Sequence, residues 1–188
     1  MKNLILTILL ALFAIQAQSQ TDHMKFKGIP MGGSLQSFTK QLQSKGYTLL
    51  YNADGASILK GDFAGYSGCE IYVFSDNKIV HHVNVRFTMD RWEYLYGCYT
   101  DLKGMLTEKY GSPLQSEEYF ENCYDGDDFL KMQGVKLDGC KYYSYFNCEQ
   151  GYIALKITHV FSDSCDVILT YFDAEGIDRS RSSAMDDL

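Results

Sequence analysis

The order of the predicted elements limits what this chain can fold into more than any single motif does. A helix followed by a run of strand-like segments occurs twice along the sequence. The first helix is predicted within "IPMGGSLQSFTKQLQSKGY", which begins at position 29, because Leu35, Phe38 and Leu42 recur at helical spacing. Ser34 is its expected N-cap. The second helix is predicted within "DRWEYLYGCYTDLKGMLTEKYGSP", with Asp90 as its expected N-cap.

Strand-like segments follow each helix. They lie at positions 47–51, 58–63, 69–74 and 78–88 in the first half, and at 115–123, 141–148, 152–161 and 165–173 in the second. Successive strands with few helices between them form antiparallel sheets. We therefore predict an α+β fold in which the helices pack on one face of an antiparallel sheet.

The same order divides the chain into four parts. We predict a signal peptide at 1–19, a first helix-plus-meander half at 20–89, a second half at 90–173, and a flexible, serine-rich tail at 174–188. The tripeptide FSD comes before the last strand of each half, at 74–76 and 161–163. An internal duplication would explain this match, although three residues also match by chance.

The first residues predict export from the cytoplasm. Lys2 gives a positive start, and an apolar run at positions 4–15 is followed by small and polar residues. This order is typical of a secretory signal peptide, and the run is short for a membrane span; a retained anchor is the alternative. Cleavage is expected before Gln20 or after Ala17. The exported protein would then be periplasmic or secreted, without membrane insertion.

The charge of the chain argues against nucleic acid as a partner. Asp and Glu number 24 against 17 Lys and Arg, which gives a formal net charge of −7. Nucleic-acid binding needs clustered Lys and Arg to contact phosphates, and the sequence contains no basic cluster.

The stretch "GCEIYVFSDNKIVHHVNVRF" places Cys69 close to His81 and His82 in sequence. Because side chains alternate across a strand, the two histidines are expected on opposite faces and should not bind one metal ion together. His81 is interpreted as a core histidine and His82 as a residue of the polar face. Cys69 opens a predicted strand without the surroundings that activate a nucleophilic thiol.

The six cysteines suggest disulfides, since the chain is predicted to be exported. None of them forms a C-x-x-C spacing, which disfavours a structural metal cluster. In an antiparallel meander the end of one strand lies beside the start of the next, so Cys123 and Cys140 are expected to be bridged or within bridging distance.

Motifs for a cofactor are missing from the sequence. It contains no glycine-rich phosphate loop, no G-x-S-x-G and no H-E-x-x-H, and we expect neither a cofactor nor a metal ion. Asp125, Asp127 and Asp128 form an acidic loop that departs from the EF-hand pattern. A solvated loop is the favoured interpretation, and a weak calcium site stays open.

The segments "GIPMGGSLQSFTKQLQSKGY" and "LKGMLTEKYGSP", with strands after each, resemble a group of small secreted proteins of gut Gram-negative anaerobes that have no assigned function. The doubled order is also similar to the β-lactamase-inhibitor-protein fold. That resemblance implies an aromatic-rich concave sheet that grips a partner. Neither resemblance carries over a catalytic residue.

Two functions from different classes follow from these observations. The first is a non-catalytic exported module that binds a protein, peptide or glycan through a tyrosine-rich sheet face, with Tyr143 and Tyr145 as candidate binding residues. The 15 tyrosines and 11 phenylalanines favour this interpretation, because aromatic side chains are common at interfaces. The alternative is a periplasmic or secreted hydrolase whose catalytic residues are scattered along the chain.

Overall fold

An eight-stranded antiparallel sheet forms the centre of the protein. The computed structural model describes residues 23–160, 164–178 and 185. The strands of the sheet are β3 (Thr48–Ala53), β4 (Ala56–Phe63), β5 (Tyr66–Asp76), β6 (Ile79–Met89), β7 (Gln115–Phe120), β8 (Cys140–Cys148), β9 (Gly151–Thr158) and β10 (Cys165–Asp173). Their spatial order is β3-β4-β5-β6-β10-β9-β8-β7, and each neighbouring pair is antiparallel. The α+β class and the antiparallel sheet predicted from the sequence are confirmed.

The first two helices are those that the apolar spacing predicts. Helix α1 (Leu35–Ser44) begins after Ser34, whose hydroxyl accepts a hydrogen bond of 3.3 Å from the Ser37 backbone amide. Helix α2 (Trp92–Tyr110) has Arg91 at its N-cap position, so the expectation that Asp90 caps it is wrong. It ends at Gly111, whose positive φ of 85° suits a residue without a Cβ.

A third helix, α3 (Asp128–Lys136), occupies the segment expected to be a loop between β7 and β8. A short 3₁₀ turn (Asn122–Tyr124) comes before it. The carboxylate of Asp127 accepts a hydrogen bond of 3.0 Å from the Leu130 backbone amide and so caps the helix. The strand predicted at 115–123 therefore ends at Phe120, earlier than the sequence suggested.

One face of the sheet contributes to the hydrophobic core. Alternate residues of the strands point to this face, as the period of two requires. The buried strand residues include Leu59, Ile71, Val73, Val83, Val85, Ile153, Leu155, Val167 and Leu169. Phe38 and Leu42 of α1 and Leu95, Tyr99 and Leu102 of α2 belong to the same apolar cluster. Helix α1 contacts β3 to β6, and α2 contacts β6, β8, β9 and β10.

A small N-terminal hairpin, which was not predicted from the sequence, adds to this core. Strands β1 (Lys25–Phe26) and β2 (Ile29–Pro30) pair with each other. The Phe26 ring stacks on Phe63 at a centroid distance of 5.5 Å. The Met24 backbone amide donates a hydrogen bond of 2.9 Å to the buried Asp173 carboxylate, which ties the hairpin to the end of β10.

The predicted termini are described only in part. Residues 174–178, the first part of the predicted tail, form a short helical segment after β10. The predicted signal peptide at 1–19 lies outside the described residues, as does the predicted tail apart from residues 174–178 and 185.

Candidate functional site: the second face of the central sheet

The second face of the sheet, opposite the core-facing side chains, carries a row of aromatic rings. Phe74 of β5 pairs in register with His82 of β6, His82 with Phe172 of β10, and Phe172 with Tyr152 of β9. The centroid distances along this row are 4.3, 5.4 and 4.4 Å, and the rings are stacked. We call these four residues the aromatic row.

A β-bulge places both adjacent histidines on the second face. In the register of β5 and β6, Phe74 pairs with His82 and Ser75 pairs with Val80, so His81 is the extra residue. The bulge interrupts the alternation, and Val80 rather than His81 reaches the core, with 0 % exposure. The expectation that His81 is a core histidine on the opposite face from His82 is therefore wrong.

The two imidazole rings contact each other directly. The Nδ1 atoms of His81 and His82 are 2.9 Å apart, which allows one hydrogen bond between a donor ring and an acceptor ring. Burial, and then the charge of His81, lower the pKa of His82 to about 4. His82 is therefore neutral at neutral pH, and it serves in the aromatic row as an uncharged ring.

A buried ionic cluster lies on the same face, and its Arg86 is four residues along β6 from His82 of the aromatic row. Asp166 is 0 % exposed and accepts hydrogen bonds from Arg86 Nε at 2.7 Å and from Thr88 Oγ1 at 2.7 Å. Its second oxygen accepts from the Ser164 hydroxyl at 2.6 Å. Arg86 also donates to Glu70 at 3.1 Å. The cluster fixes β5, β6 and β10 to one another at this end of the sheet.

Small and polar residues fill the space between the aromatic row and the ionic cluster. Asn84, Thr170 and Ala154 follow one another in register across β6, β10 and β9. Tyr72 pairs with Asn84 on one side, and Tyr145 pairs with Ala154 on the other. We call Asn84, Thr170 and Ala154 the central patch. Two of the patch residues, Thr170 and Ala154, are buried.

The central patch contains a polar atom without a partner. The Asn84 Oδ1 atom is buried and has no hydrogen-bond partner among the described residues. A buried carbonyl oxygen that accepts no hydrogen bond costs about 1–3 kcal/mol, so such groups in native structures call for an explanation. Because the atom is shielded from solvent, a donor on a partner would satisfy it only after the neighbouring side chains move.

The structure places both predicted binding residues on the second face. Tyr143 and Tyr145 lie two residues apart on β8, and their ring centroids are 5.5 Å apart. Tyr145 is 38 % exposed. Gln115 donates a hydrogen bond of 3.1 Å to the Tyr143 hydroxyl. The sequence interpretation missed the aromatic row and Asn84, because strand register across β5, β6, β10 and β9 is not readable from local patterns.

A hydrogen-bonded chain of nucleophile-type side chains lies on the core side of β7 and β8. Lys103 of α2 donates to the Ser116 hydroxyl at 2.8 Å and forms an ion pair with Glu118. Ser116 and Ser144 are 2.9 Å apart, and Ser144 is 2.7 Å from the Tyr99 hydroxyl. In this geometry Lys103 is the donor to Ser116, whereas a general base has to accept the hydroxyl proton.

The cysteines predicted to form a bridge are free thiols in the structure. Cys123 is exposed and Cys140 is half-buried. Their pairing stays a prediction for the oxidised protein, and peptide mapping without reductant would detect it. Cys69 is buried in β5, and its thiol donates to the Tyr66 carbonyl at 3.4 Å. Burial raises its pKa, which disfavours the reactive thiolate.

Two carboxylates of the acidic loop form contacts within the fold. Asp127 caps α3, and Asp125 lies 3.9 Å from the Lys131 ammonium. Within residues 23–160 and 164–178, no group of three or more His, Cys, Asp or Glu side chains is arranged to hold a metal ion. In the same part of the chain, no helix has the length and apolar character needed to cross a membrane.

Comparison with protein-family models, with curated proteins and with solved structures finds no match to this chain. The family resemblance and the similarity to the β-lactamase-inhibitor-protein fold therefore stay expectations.

Proposed function

We propose that the protein is an exported, non-catalytic module that binds another protein or peptide through the second face of its sheet. The observation that carries this proposal is the unsatisfied Asn84 Oδ1 in the central patch. It lies between Tyr72 and Tyr145, two side chains that combine an apolar ring with a polar hydroxyl. A peptide supplies both the N–H donors and the apolar side chains that such a surface accepts.

The orientation of the aromatic row favours a protein partner over a glycan. Sugars and nucleobases bind to exposed ring faces. The inner rings of the row, His82 and Phe172, have a stacked neighbour on each side at 4.3 to 5.4 Å. Their faces are covered, so they present ring edges to a ligand. The row is thus suited to contact with side chains and backbone rather than to stacking of a sugar ring.

Two further expectations belong with this proposal. The strand order is symmetric about the junction of β6 and β10, because each half adds its strands outward from there to an edge at β3 or β7. This symmetry supports the duplication suggested by the repeated helix-plus-meander order. The side chains of α1 and α2 share the core cluster with the first face, which supports packing of both helices on that face. The second face would then be open to a partner.

Asn84→Leu tests the binding face without removing volume. If the Asn84 side chain stabilises the fold, the substitution should lower the free energy of unfolding. If it exists for binding, removal of an unsatisfied buried acceptor should leave that free energy unchanged or raise it by about 1 kcal/mol. Under our proposal it weakens partner binding by about tenfold or more, the range for a central interface residue.

The partner would be sought by capture from the native exported fraction and mass spectrometry, and its affinity measured by calorimetry. Tyr145→Ala should also weaken binding by about tenfold. The matched control is Tyr94→Ala on α2, which removes a ring that is 50 % exposed on another surface. A partner that binds all three variants equally would show that the second face is not its binding site.

The hydrolase alternative has one specific observation in its favour, the contact between Lys103 and Ser116. A fluorophosphonate probe forms a covalent adduct with an activated serine and not with an ordinary one. We expect no labelling, because Lys103 donates its hydrogen bond to the Ser116 hydroxyl and is also paired with Glu118, so it is not placed to accept the hydroxyl proton. An adduct at Ser116 that is lost in Lys103→Met would replace the binding proposal with the enzymatic one.

A further inference from the structure

The outer edge of strand β3 is open for pairing with a further strand. The sheet has two edge strands, β3 and β7. In the described part of the chain, no backbone hydrogen bond joins β3 to any segment other than β4. Alternate N–H and C=O groups of an edge strand point away from the sheet, so they can pair with the backbone of another chain.

The two edge strands differ in how they resist such pairing. Strand β7 carries two adjacent carboxylates, Glu117 and Glu118, and charged side chains are a common device against edge pairing. Strand β3 contains no charged side chain. Its Leu50 and Tyr51 are 53 % and 56 % exposed, and Leu50 is the extra residue of a bulge between β3 and β4. The β3 edge is therefore uncharged and partly apolar, whereas the β7 edge is acidic.

Charges of opposite sign flank β3 in the sequence. Lys45 precedes the strand and Asp54 follows it directly. Both side chains are exposed, and neither forms an ion pair with another described residue. Behind the edge, each end of the strand has one further charge of each sign, Lys60 and Asp62 on β4 at one end, and Asp76 and Lys78 at the turn after β5 at the other. Lys45 and Asp54 therefore give the edge its polarity.

We propose that β3 pairs antiparallel with β3 of a second copy of this chain, so that the two sheets join into one. A two-fold axis through the middle of the strand pair places the start of each β3 beside the end of the other. Lys45 of each copy then lies near Asp54 of the other, and the exposed Leu50 and Tyr51 meet at the centre. The same arrangement at β7 brings the adjacent glutamates of both copies together, and like charges opposite each other destabilise a strand pair. Pairing at the β3 edge does not depend on a partner at the second face.

Sedimentation velocity on the natively purified protein measures this association, with a reductant present to prevent disulfide links between copies. We expect a weak dimer with a dissociation constant on the order of 10–100 µM, because one strand pair buries less area than a standard interface. Leu50→Lys places like charges opposite each other and should weaken dimerisation about tenfold or more. The matched control is Leu114→Lys, which should leave the dimer unchanged, since Leu114 is 80 % exposed next to the other edge strand.

Charge exchange between Lys45 and Asp54 tests the antiparallel geometry. Lys45→Glu and Asp54→Lys each turn two attractive contacts of the dimer into two repulsive ones, so each should weaken dimerisation by about tenfold. Asp54→Lys also lowers the net negative charge, so a general repulsion between copies predicts the opposite effect for this variant. A mixture of the two variants should dimerise about as strongly as the native protein, because every contact in the mixed dimer again joins opposite charges. Circular dichroism and thermal unfolding check that each variant is folded.

Three results would overturn the proposal. The first is a protein that stays monomeric at about 1 mM, which would mean that the bulge at Leu50 closes the edge or that a strand of another protein occupies it. The second is a dimer that Leu50→Lys leaves intact, which would place the interface elsewhere. The third is a mixture of Lys45→Glu and Asp54→Lys that dimerises no more strongly than either variant alone, which would exclude antiparallel pairing of β3.

Discussion

Replacement of Asp166 by alanine is expected to lower the free energy of unfolding by about 3–5 kcal/mol. Asp166 is fully buried and accepts hydrogen bonds from Arg86, Thr88 and Ser164 through both carboxylate oxygens. Its removal leaves the Arg86 guanidinium, which is 9 % exposed, without its closest anion. Only the half-exposed and solvent-screened Glu70 carboxylate then remains as an anionic partner, and breaking a buried ion pair is among the costliest single changes in a protein. Urea unfolding followed by tyrosine fluorescence or circular dichroism measures the loss.

Glu70→Ala is the matched control for Asp166→Ala. Glu70 also bonds to Arg86, at 3.1 Å, but its side chain is 35 % exposed. Solvent screens this pair, so we expect its removal to cost about 1 kcal/mol or less. Equal losses in the two variants would mean that burial of the Asp166 contact does not determine the strength of this cluster.

Acidification is expected to destabilise the protein through His82. Its pKa is about 4 in the folded state and about 6.5 in an unfolded chain. Above pH 6.5 the ring is neutral in both states, so its burial carries no protonation penalty. As the pH falls from 6.5 to 4, the unfolded state binds a proton that the folded state does not, and the free energy of unfolding decreases. The full difference corresponds to about 3 kcal/mol.

Comparison with His82→Phe isolates this contribution from the carboxylates and other histidines that titrate in the same range. Phenylalanine keeps an aromatic ring between Phe74 and Phe172 but cannot be protonated. The variant should differ from the wild type by about 1 kcal/mol or less at pH 7.5. Between pH 6.5 and 4 it should lose up to about 3 kcal/mol less stability. Parallel pH profiles for the two proteins would contradict the assignment.

The neighbouring residue, His81, shows where the prediction from strand alternation was wrong. Strict alternation in "KIVHHVNVRF" placed His81 toward the core and separated it from His82. The bulge at His81 arises from the pairing of β6 with β5, and nothing in the sequence of β6 alone reports the register of its neighbour. A one-residue shift was enough to bring Val80 into the core and the two imidazoles into contact.

The prediction of a loop between β7 and β8 was wrong for a different reason. Its apolar residues do not form a clear stripe at helical spacing, and Gly134 within it is unfavourable in a helix. The side chains that fill the space next to Gly134 are Tyr124 and Phe120. Helix α3 is therefore stabilised by its capping residue Asp127 and by tertiary packing, which a reading for hydrophobic period does not detect.

The sequence by itself determined the local elements and their class. Helical spacing defined α1 and α2, and alternation and turn residues defined the strands of an antiparallel sheet, because both signals depend on residues close together in the chain. Only the tertiary structure decided the join of β6 to β10, and with it the aromatic row, the central patch around Asn84 and the Asp166 cluster. These sites combine strands that are distant in sequence. Their geometry depends on register and burial, which arise when the sheet assembles and not within any one strand.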